Sequence, residues 1–393
     1  MRDVVIVEAV RTPIGRRGGG LSTFHSADLL GLAQKAAIER SGIDPALVDQ
    51  VIGGCITQAG MQAFNVTRTA WLTAGLPITT AATTVDSQCG SSQQATSMAA
   101  SFIAAGVVDV AMACGVEVMS QVPMGASLGQ GIGKAIPKSY FEQYEYTSQF
   151  EAAERIADKW GITRQDLDEF GCESQRRAAQ AWDEGRFDTQ IVEVDAPDLG
   201  EDGKPTGTTH HVAKDEGLRE TTMEALAGLK TVARKPEDGG KHTAGTSSQI
   251  SDAASAVLMM TAEKAAELGL KARAKVVDSC LVGTDPTLML TGPIDVSHHL
   301  FKRTGLTMDD IDVTEINEAF ASVVLSWERE LKPDMAKVNP NGGAIAIGHA
   351  LGSTGAVLLT KALHELERTD KETALVTMCC GGGLGAGTII QRV

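Results

Sequence analysis

The sequence predicts an α/β fold in which a βαβ-rich unit occurs twice around a mainly parallel sheet, with a loop domain inserted into the first copy. Two observations predict the duplication. Residues 42–49 resemble residues 305–312: in each, a glycine follows a helical pattern and an aspartate precedes an apolar, strand-like run. Further on, Cys89-Gly90-Ser91-Ser92 opens an Ala-rich helical stretch of about residues 93–105 that leads into a strand-like run at 108–115. The last part repeats this order, with His349-Ala350-Leu351-Gly352-Ser353 opening a helical stretch through Leu366 and a strand-like run at 373–381. A third observation predicts the insertion. Residues 121–245 carry Gly/Ser/Tyr-rich turns, one helical stretch near Glu151 to Trp182 and polar Asp/Gly/Lys runs, and core character returns only at 253–260. The expected organisation is residues 1–120 with 246–272 as the first unit, 121–245 as the loop domain and 273–393 as the second unit.

Taken in order, the chain enters a strand with Val4-Val5-Ile6-Val7 and then alternates helical and strand-like stretches joined by short turns. Sheets of this type place functional groups at the carboxyl ends of strands and the amino ends of the following helices. Cys89, His349 and Cys379 all fall at such places, although they are far apart in the chain.

Composition narrows the function. The chain has 393 residues, enough for two domains of ordinary size, and its 43% hydrophobic and 22% charged content is that of a globular protein. A net charge of −15 argues against nucleic acid or an anionic membrane as the main partner. No secretory signal pattern or membrane-length apolar stretch is evident, so the cytoplasm is the expected location. Seven scattered cysteines without zinc-type spacing point to reduced thiols rather than disulfides or a metal cage.

Cysteine suits acyl transfer because its thiolate is strongly nucleophilic and a thioester exchanges readily with another thiol. An ordinary thiol titrates at about 8.5, and a helix N-terminus or an imidazolium lowers it. Cys89, at an expected helix start among small residues, meets the first condition; read alone, it fits a core cysteine equally well. His349 lies in a glycine-rich stretch that lets backbone approach a ligand, and histidine can polarise a thiol or bind a thioester oxygen. Cys379 and Cys380 precede Gly381-Gly382-Gly383. Neighbours on a strand face opposite ways, so one of the pair reaches the site and the other joins the core. The glycine amides can bind an oxyanion. Asn317-Glu318-Ala319-Phe320-Ala321, at an expected strand-to-helix junction, adds an amide and a carboxylate, or simply caps a helix.

Four blocks then occur in order: Asp86-Ser87-Gln88-Cys89-Gly90-Ser91-Ser92, Asn317-Glu318-Ala319-Phe320-Ala321, residues 341–349 ending in Gly348-His349, and Cys379-Cys380-Gly381-Gly382-Gly383. With the opening Glu8-Ala9-Val10-Arg11-Thr12-Pro13-Ile14-Gly15, they resemble the successive blocks of the thiolase family over essentially the whole chain. The resemblance implies a layered αβαβα fold with a loop domain. It implies that Cys89 accepts an acyl group, that His349 activates it, and that Cys379 moves the proton of the leaving acetyl-CoA carbanion. Asn317 would hold a water that completes one oxyanion hole with His349, and the amides of Cys89 and Gly381 would form a second. Ser248, Gln149 and Phe320 are the implied substrate-binding positions, Ser248 beside the pantetheine arm. Coenzyme A is then a substrate, no metal or redox cofactor is called for, and a homodimer or homotetramer is implied.

Two positions depart from the family pattern. Ala350 stands where proline is usual, so the turn after His349 lacks a fixed φ. Ser148-Gln149-Phe150 replaces a His-Met-Gly sequence of many short-chain thiolases, which points to a longer, branched or steroid-derived 3-ketoacyl chain rather than acetoacetyl-CoA. The competing readings are a biosynthetic acetoacetyl-CoA thiolase, a non-catalytic acyl-CoA-binding relative and a decarboxylating ketosynthase. The last normally needs a Cys-His-His set, and the Cys379 block favours thiolase over it.

Overall fold

The computed structural model describes residues 2–128, 131 and 133–393. The first half of the chain supplies strands β1 (Val4–Arg11), β2 (Gly15–Arg16), β3 (Gln50–Gly54), β4 (Ala81–Val85) and β5 (Val110–Val118). After a long interruption that holds the hairpin β6 (Val194–Leu199) and β7 (Pro205–Val212), it adds β8 (Ser251–Thr261). The second half supplies β9 (Ala274–Gly283), β10 (Val313–Ile316), β11 (Thr373–Cys380) and β12 (Leu384–Arg392). All but the hairpin form one 10-stranded sheet in the order β10-β11-β12-β9-β1-β8-β5-β3-β4, with β2 paired to β8.

The duplication is visible in this order. The run β3-β5-β8-β1 is repeated by β10-β11-β12-β9, each beginning with a parallel pair and continuing with two antiparallel ones. The halves meet where β1 and β9 pair over only two residues, Val5 with Lys275 and Ile6 with Ala274.

The mainly parallel sheet expected from the sequence is therefore corrected: the sheet is mixed, and only β3–β4, β3–β5 and β10–β11 run parallel. The reason is connection length. A parallel return needs a crossover of a dozen or more residues, whereas Gly381–Gly383 is all that separates β11 from β12. Gly382 and Gly383 turn that corner at φ +77° and +76°, which side-chain-bearing residues rarely adopt.

Helices cover both faces, which explains why β5 and β8 are buried along their whole length. Helices α1 (Ser26–Ser41) and α2 (Val66–Thr73) pack on the outer face of the first half. Helix α3 (Ser91–Ala104) lies on its inner face. In the interruption, α4 (Gln149–Lys159) and α5 (Arg164–Asp183) replace the single helical stretch expected there. Gly161 at φ +62° breaks the run, and Thr163 and Asp166 form a capping box that restarts it. The short α6 (Met223–Ala227) and α7 (Ala262–Glu267) follow. Helix α8 (Gly292–Thr304) covers the outer face of the second half, α9 (Ala321–Leu331) follows β10, and the single turn α10 (Ala344–Ile347) precedes α11 (Thr354–Thr369).

Helices α3 and α11 touch each other and strands of both halves, so they form the central layer of an αβαβα stack. Their contact carries Ala95, Ala99 and Ile103 against Leu359, Leu363 and Leu366, all fully buried. Small residues let the helix starts pack closely: a Cβ on Gly355 of α11 would stand 2.3 Å from the Gln93 nitrogen of α3, and one on Gly54 of β3 would stand 2.3 Å from the Ser92 nitrogen. The residues that open these two helices are thereby brought together. The interruption is tied back to the sheet by Arg11, whose buried guanidinium grips both carboxylate oxygens of Asp215 at 2.7 and 3.0 Å. Among the described residues no helix is long and apolar enough to cross a membrane.

Candidate active site

Cys89 sits on a sharp turn between β4 and α3. Gln88, just before it, is left-handed at φ +52°, a conformation costing about 1–3 kcal/mol for a residue with a side chain. The turn is held by the Gln88 amide donating to Asp86 Oδ1 (2.7 Å), by Gly90 N to Ser87 O (3.1 Å) and by Ser87 N to Ser91 Oγ (3.0 Å). Gly90 admits no side chain, because a Cβ there would lie 2.6 Å from the Cys380 sulfur. The thiol lies beside the backbone amides of Gly381 and of Cys89 itself, which favour its ionised form.

His349 arrives from the other half, at the turn leading into α11. Gly348 precedes it at φ +108°, where a Cβ would stand 2.3 Å from Ser251 Oγ. The His349 amide donates to Gln249 O (3.2 Å) and Ser251 Oγ (3.1 Å), which pins the turn to the start of β8. Its imidazole lies between two partners: Nδ1 is 2.7 Å from Thr354 Oγ1, and Nε2 is 3.3 Å from Asn317 Nδ2. The buried Glu117 carboxylate joins the halves here, accepting from the amides of Ile56 (3.0 Å), Thr57 (3.1 Å) and Gly352 (3.1 Å).

Ala350 keeps φ at −76° without the proline ring, and its N–H donates to no described residue. Proline fits such a position, so Ala350→Pro is expected to stabilise the fold by about 0.4–1 kcal/mol through the unfolded chain. Chemical denaturation checks this, and a loss of stability would show that the turn depends on the alanine N–H.

A pocket of about 90 Å³ is lined by Cys89, His349, Gly381, Ser248, Gln149 and Phe320. Asn317 stands behind His349, fully buried, with its Oδ1 reached by no donor among the described residues. Cys379 is also fully buried and does not line the pocket. It packs with Leu290, Ala319 and Phe320, so its sulfur lies directly behind the pocket wall. Cys380 faces the other way, into the central helical layer against Gly90, as strand alternation requires. All seven cysteines are unpaired. Glu318, next to Asn317, turns away from the pocket and accepts from Ser174 Oγ (2.6 Å), Asn339 Nδ2 (2.9 Å) and the Ile345 amide (3.2 Å). It braces the 339–345 turn rather than adding a carboxylate to the site.

Phe320 is positioned by a short zipper, in which Ser248 N donates to Ala319 O (2.9 Å) and Ala321 N to Thr246 O (3.0 Å). Its ring meets Phe150 edge-on at 5.5 Å, and the Gln149 amide reaches the Met124 sulfur at 3.7 Å. The apolar wall takes Met119 and Met124 from the segment after β5, Phe150 from the first turn of α4 and Leu290 from the loop before α8, and of these only Phe150 carries a sequence signal. Thr354 was also missed; its one signal is its place five residues after His349, where the turn becomes α11.

Electrostatics correct one expectation. The Cys89 thiol is not lowered by its helix: burial pushes it up to about 11, with Glu117 and Asp86 adding to the rise, and the amides of Gly381 and Cys89 only partly offset this. Burial pushes His349 down to about 4, so the imidazole is neutral and offers no positive charge to a thiolate. Burial and the neighbouring Cys89 raise Cys379 further still. The resting site therefore holds neutral thiols beside a neutral base, and proton transfer must accompany attack.

Comparison with known proteins gives the family. The family described as "Thiolase, N-terminal domain" matches residues 4–263, and "Thiolase, C-terminal domain" matches residues 270–392. A steroid 3-ketoacyl-CoA thiolase of Mycobacterium tuberculosis is 44% identical, over 100% of this chain and 95% of the relative. A 3-ketoacyl-CoA thiolase of Bacillus subtilis is 39% identical over the full length of both. The crystal structure of the Bacillus anthracis acetyl-CoA acetyltransferase superposes with a TM-score of 0.91 at 36% identity, covering 100% of this chain and 99% of that one.

Proposed function

The chain belongs to the thiolase family and is an acyltransferase, and from that premise we propose that it cleaves 3-ketoacyl-CoA with CoA through an acyl group held on Cys89. The products are acetyl-CoA or propionyl-CoA and a shortened acyl-CoA. One observation carries this reading: Cys89 and His349, contributed by the two halves of the chain, line a single pocket together with Gly381.

In the proposed cycle His349 Nε2 takes the Cys89 proton as the sulfur attacks the 3-keto carbon. The alkoxide forms against the amides of Cys89 and Gly381. As the bond between the α and β carbons breaks, the thioester oxygen takes up enolate charge beside the newly protonated Nε2 and a water held by Asn317. Cys379 gives its proton to the α carbon, and acetyl-CoA leaves. CoA then returns a proton to Cys379, its thiolate attacks the acyl-Cys89 thioester, and the departing Cys89 recovers its proton from His349. No electrons change hands, and CoA enters as a substrate, passing over residues 121–245 beside Ser248.

The buried imidazole sets the pH dependence. With its titration pushed down to about 4, the base form persists as pH falls and is lost only near that value. The rate of Cys89 acylation is expected to hold from neutrality to about pH 5, whereas an ordinary histidine would impose an acid limb at about 6.5. Rapid-mixing measurements of acyl-enzyme formation after a pH jump check this.

The acyl side of the pocket is walled by Met119, Met124, Phe150, Leu290 and Phe320, and we place acyl groups longer or bulkier than acetoacetyl there. Met124 and Phe150, both partly exposed, form an adaptable apolar rim. Steroid-derived chains fall within this class, in keeping with the name of the mycobacterial relative. The test is CoA-dependent cleavage across short, long, branched and polycyclic 3-ketoacyl-CoA substrates. No cleavage of any of them would overturn the assignment, and the highest kcat/KM for acetoacetyl-CoA would overturn the preference.

The functional unit is proposed to be a homodimer, alone or paired into a tetramer. Strand β4 ends the sheet order with one edge unpaired, and beside it Phe64 is 95% exposed and Ile78 79% exposed. An open edge flanked by apolar side chains is a surface that proteins cover. Phe64→Asp is expected to shift the particle toward monomer in light scattering, and an unchanged mass would exclude this edge.

A further inference from the structure

We infer that Thr354 is a positioning residue, holding His349 in the tautomer that carries its proton on Nδ1 and keeps Nε2 free as the base. The inference rests on the proposed role of His349 and adds the group that makes that role possible.

Thr354 is the first residue of α11, and its Oγ1 lies 2.8 Å from the carbonyl of Ala350, four residues back. Serine and threonine hydroxyls in helices commonly donate to this carbonyl. A hydroxyl has one hydrogen, and here it is directed at a carbonyl that can only accept. The second contact of Oγ1, at 2.7 Å to His349 Nδ1, must then be one in which the oxygen accepts and the ring donates. Nδ1 therefore carries the proton, and in a neutral imidazole Nε2 is left with its lone pair.

The other side of the ring is consistent. Asn317 Nδ2, a donor, stands 3.3 Å from Nε2; an N–H there would set two donors against each other, whereas a lone pair receives the amide. His349 and Thr354 are 3% and 4% exposed, so bulk water does not compete for either bond. Because burial keeps the ring neutral, a single tautomer has to supply the base. The other would leave Nε2 protonated, with no lone pair on it to take the thiol proton.

The test separates this inference from the role of His349 itself. In protein labelled with ¹⁵N-histidine, long-range ¹H–¹⁵N spectra distinguish the two neutral tautomers, and His349→Ala identifies the resonance. An Nδ1–H signature is expected in the resting enzyme; an Nε2–H signature overturns the inference without any Thr354 variant. Thr354→Val removes the acceptor while keeping the shape. It is expected to slow Cys89 acylation about 10- to 100-fold at neutral pH, with KM changed less than about threefold and the tautomer signal mixed or reversed. Thr354→Ser, which restores the hydroxyl, is expected to return the rate to within about threefold of the original. Unchanged acylation in Thr354→Val, together with loss of acylation in His349→Ala, sinks the positioning role alone. Unchanged acylation in His349→Ala sinks the role of His349 as base, and the inference with it.

Discussion

Alanine at position 89 is expected to lower CoA-dependent cleavage by at least about 10⁴-fold, the scale of loss when a nucleophile that works as a unit with its base is removed. The magnitude follows from what the remaining groups can do. Without the sulfur no acyl-enzyme forms, so CoA or water would have to attack the ketone directly. The amides of residue 89 and Gly381 would still be present, but with no tetrahedral adduct on residue 89 to stabilise. The residual rate would reflect binding and polarisation alone. The substitution should spare the fold, because Cys89 is only half-buried and lies at the edge of the central core. Turnover of 3-ketoacyl-CoA, with mass spectrometry of the enzyme quenched during turnover, gives the decisive comparison. The original chain should carry the shortened acyl group on the peptide containing Cys89, and the variant should carry none. Turnover within tenfold of the original would remove Cys89 from the chemistry.

The parts of this site that sequence exposes are those encoded by local pattern. Cys89 and His349 each lie just ahead of a helix in equivalent positions of a repeated unit, and the structure brings those helices together where Gly355 meets Gln93. Strand alternation says that only one of Cys379 and Cys380 reaches the site, the family resemblance picks Cys379, and the two do face opposite sides of β11. What stayed hidden depends on the third dimension. The direction of β8 and β12 is set by how the chain returns, not by their apolar content, so a mixed sheet and a parallel one read alike in sequence. The Cys89 titration was misjudged because its helix N-terminus is visible in sequence while its burial is not, and burial is the larger effect. The sequence left open whether Glu318 adds a carboxylate to the site or caps a helix; it does neither, turning into a buried polar cluster with Ser174 and Asn339, which its place in the chain does not reveal. The acyl wall likewise gathers Met119, Met124 and Leu290 from loops with no shared periodicity.

The second large effect is expected at Cys379, and its form matters more than its size. Cys379→Ser should reduce cleavage by about 10²- to 10⁴-fold, the usual range for loss of a positioned acid or base. A hydroxyl fits the space but is a much weaker acid than a thiol, so the α carbon of the departing acetyl-CoA would lack its proton donor. Exchange of labelled CoA into an acyl-CoA needs only attack on a thioester by Cys89 and return, with no proton moved to carbon. That half-reaction should stay within about tenfold of the original. Wash-out of α-hydrogens from acetyl-CoA in D₂O should disappear together with cleavage. Cys380→Ala is the control, because Cys380 packs into the central layer on the opposite face; it should lose stability, at about 1–3 kcal/mol for a small core deletion, and keep its chemistry. If Cys380→Ala lost α-hydrogen exchange while Cys379→Ser kept it, the two sulfurs would have to trade roles, and the strand would need to present its other face to the pocket. Cys379 packs with Leu290, Ala319 and Phe320, so in the proposed cycle its proton would be delivered at that side of the pocket. That cycle would set the α carbon deep, against Phe320, with the cleaved bond at the inner end of the pocket and the longer acyl group directed outward along Phe150 and Met124.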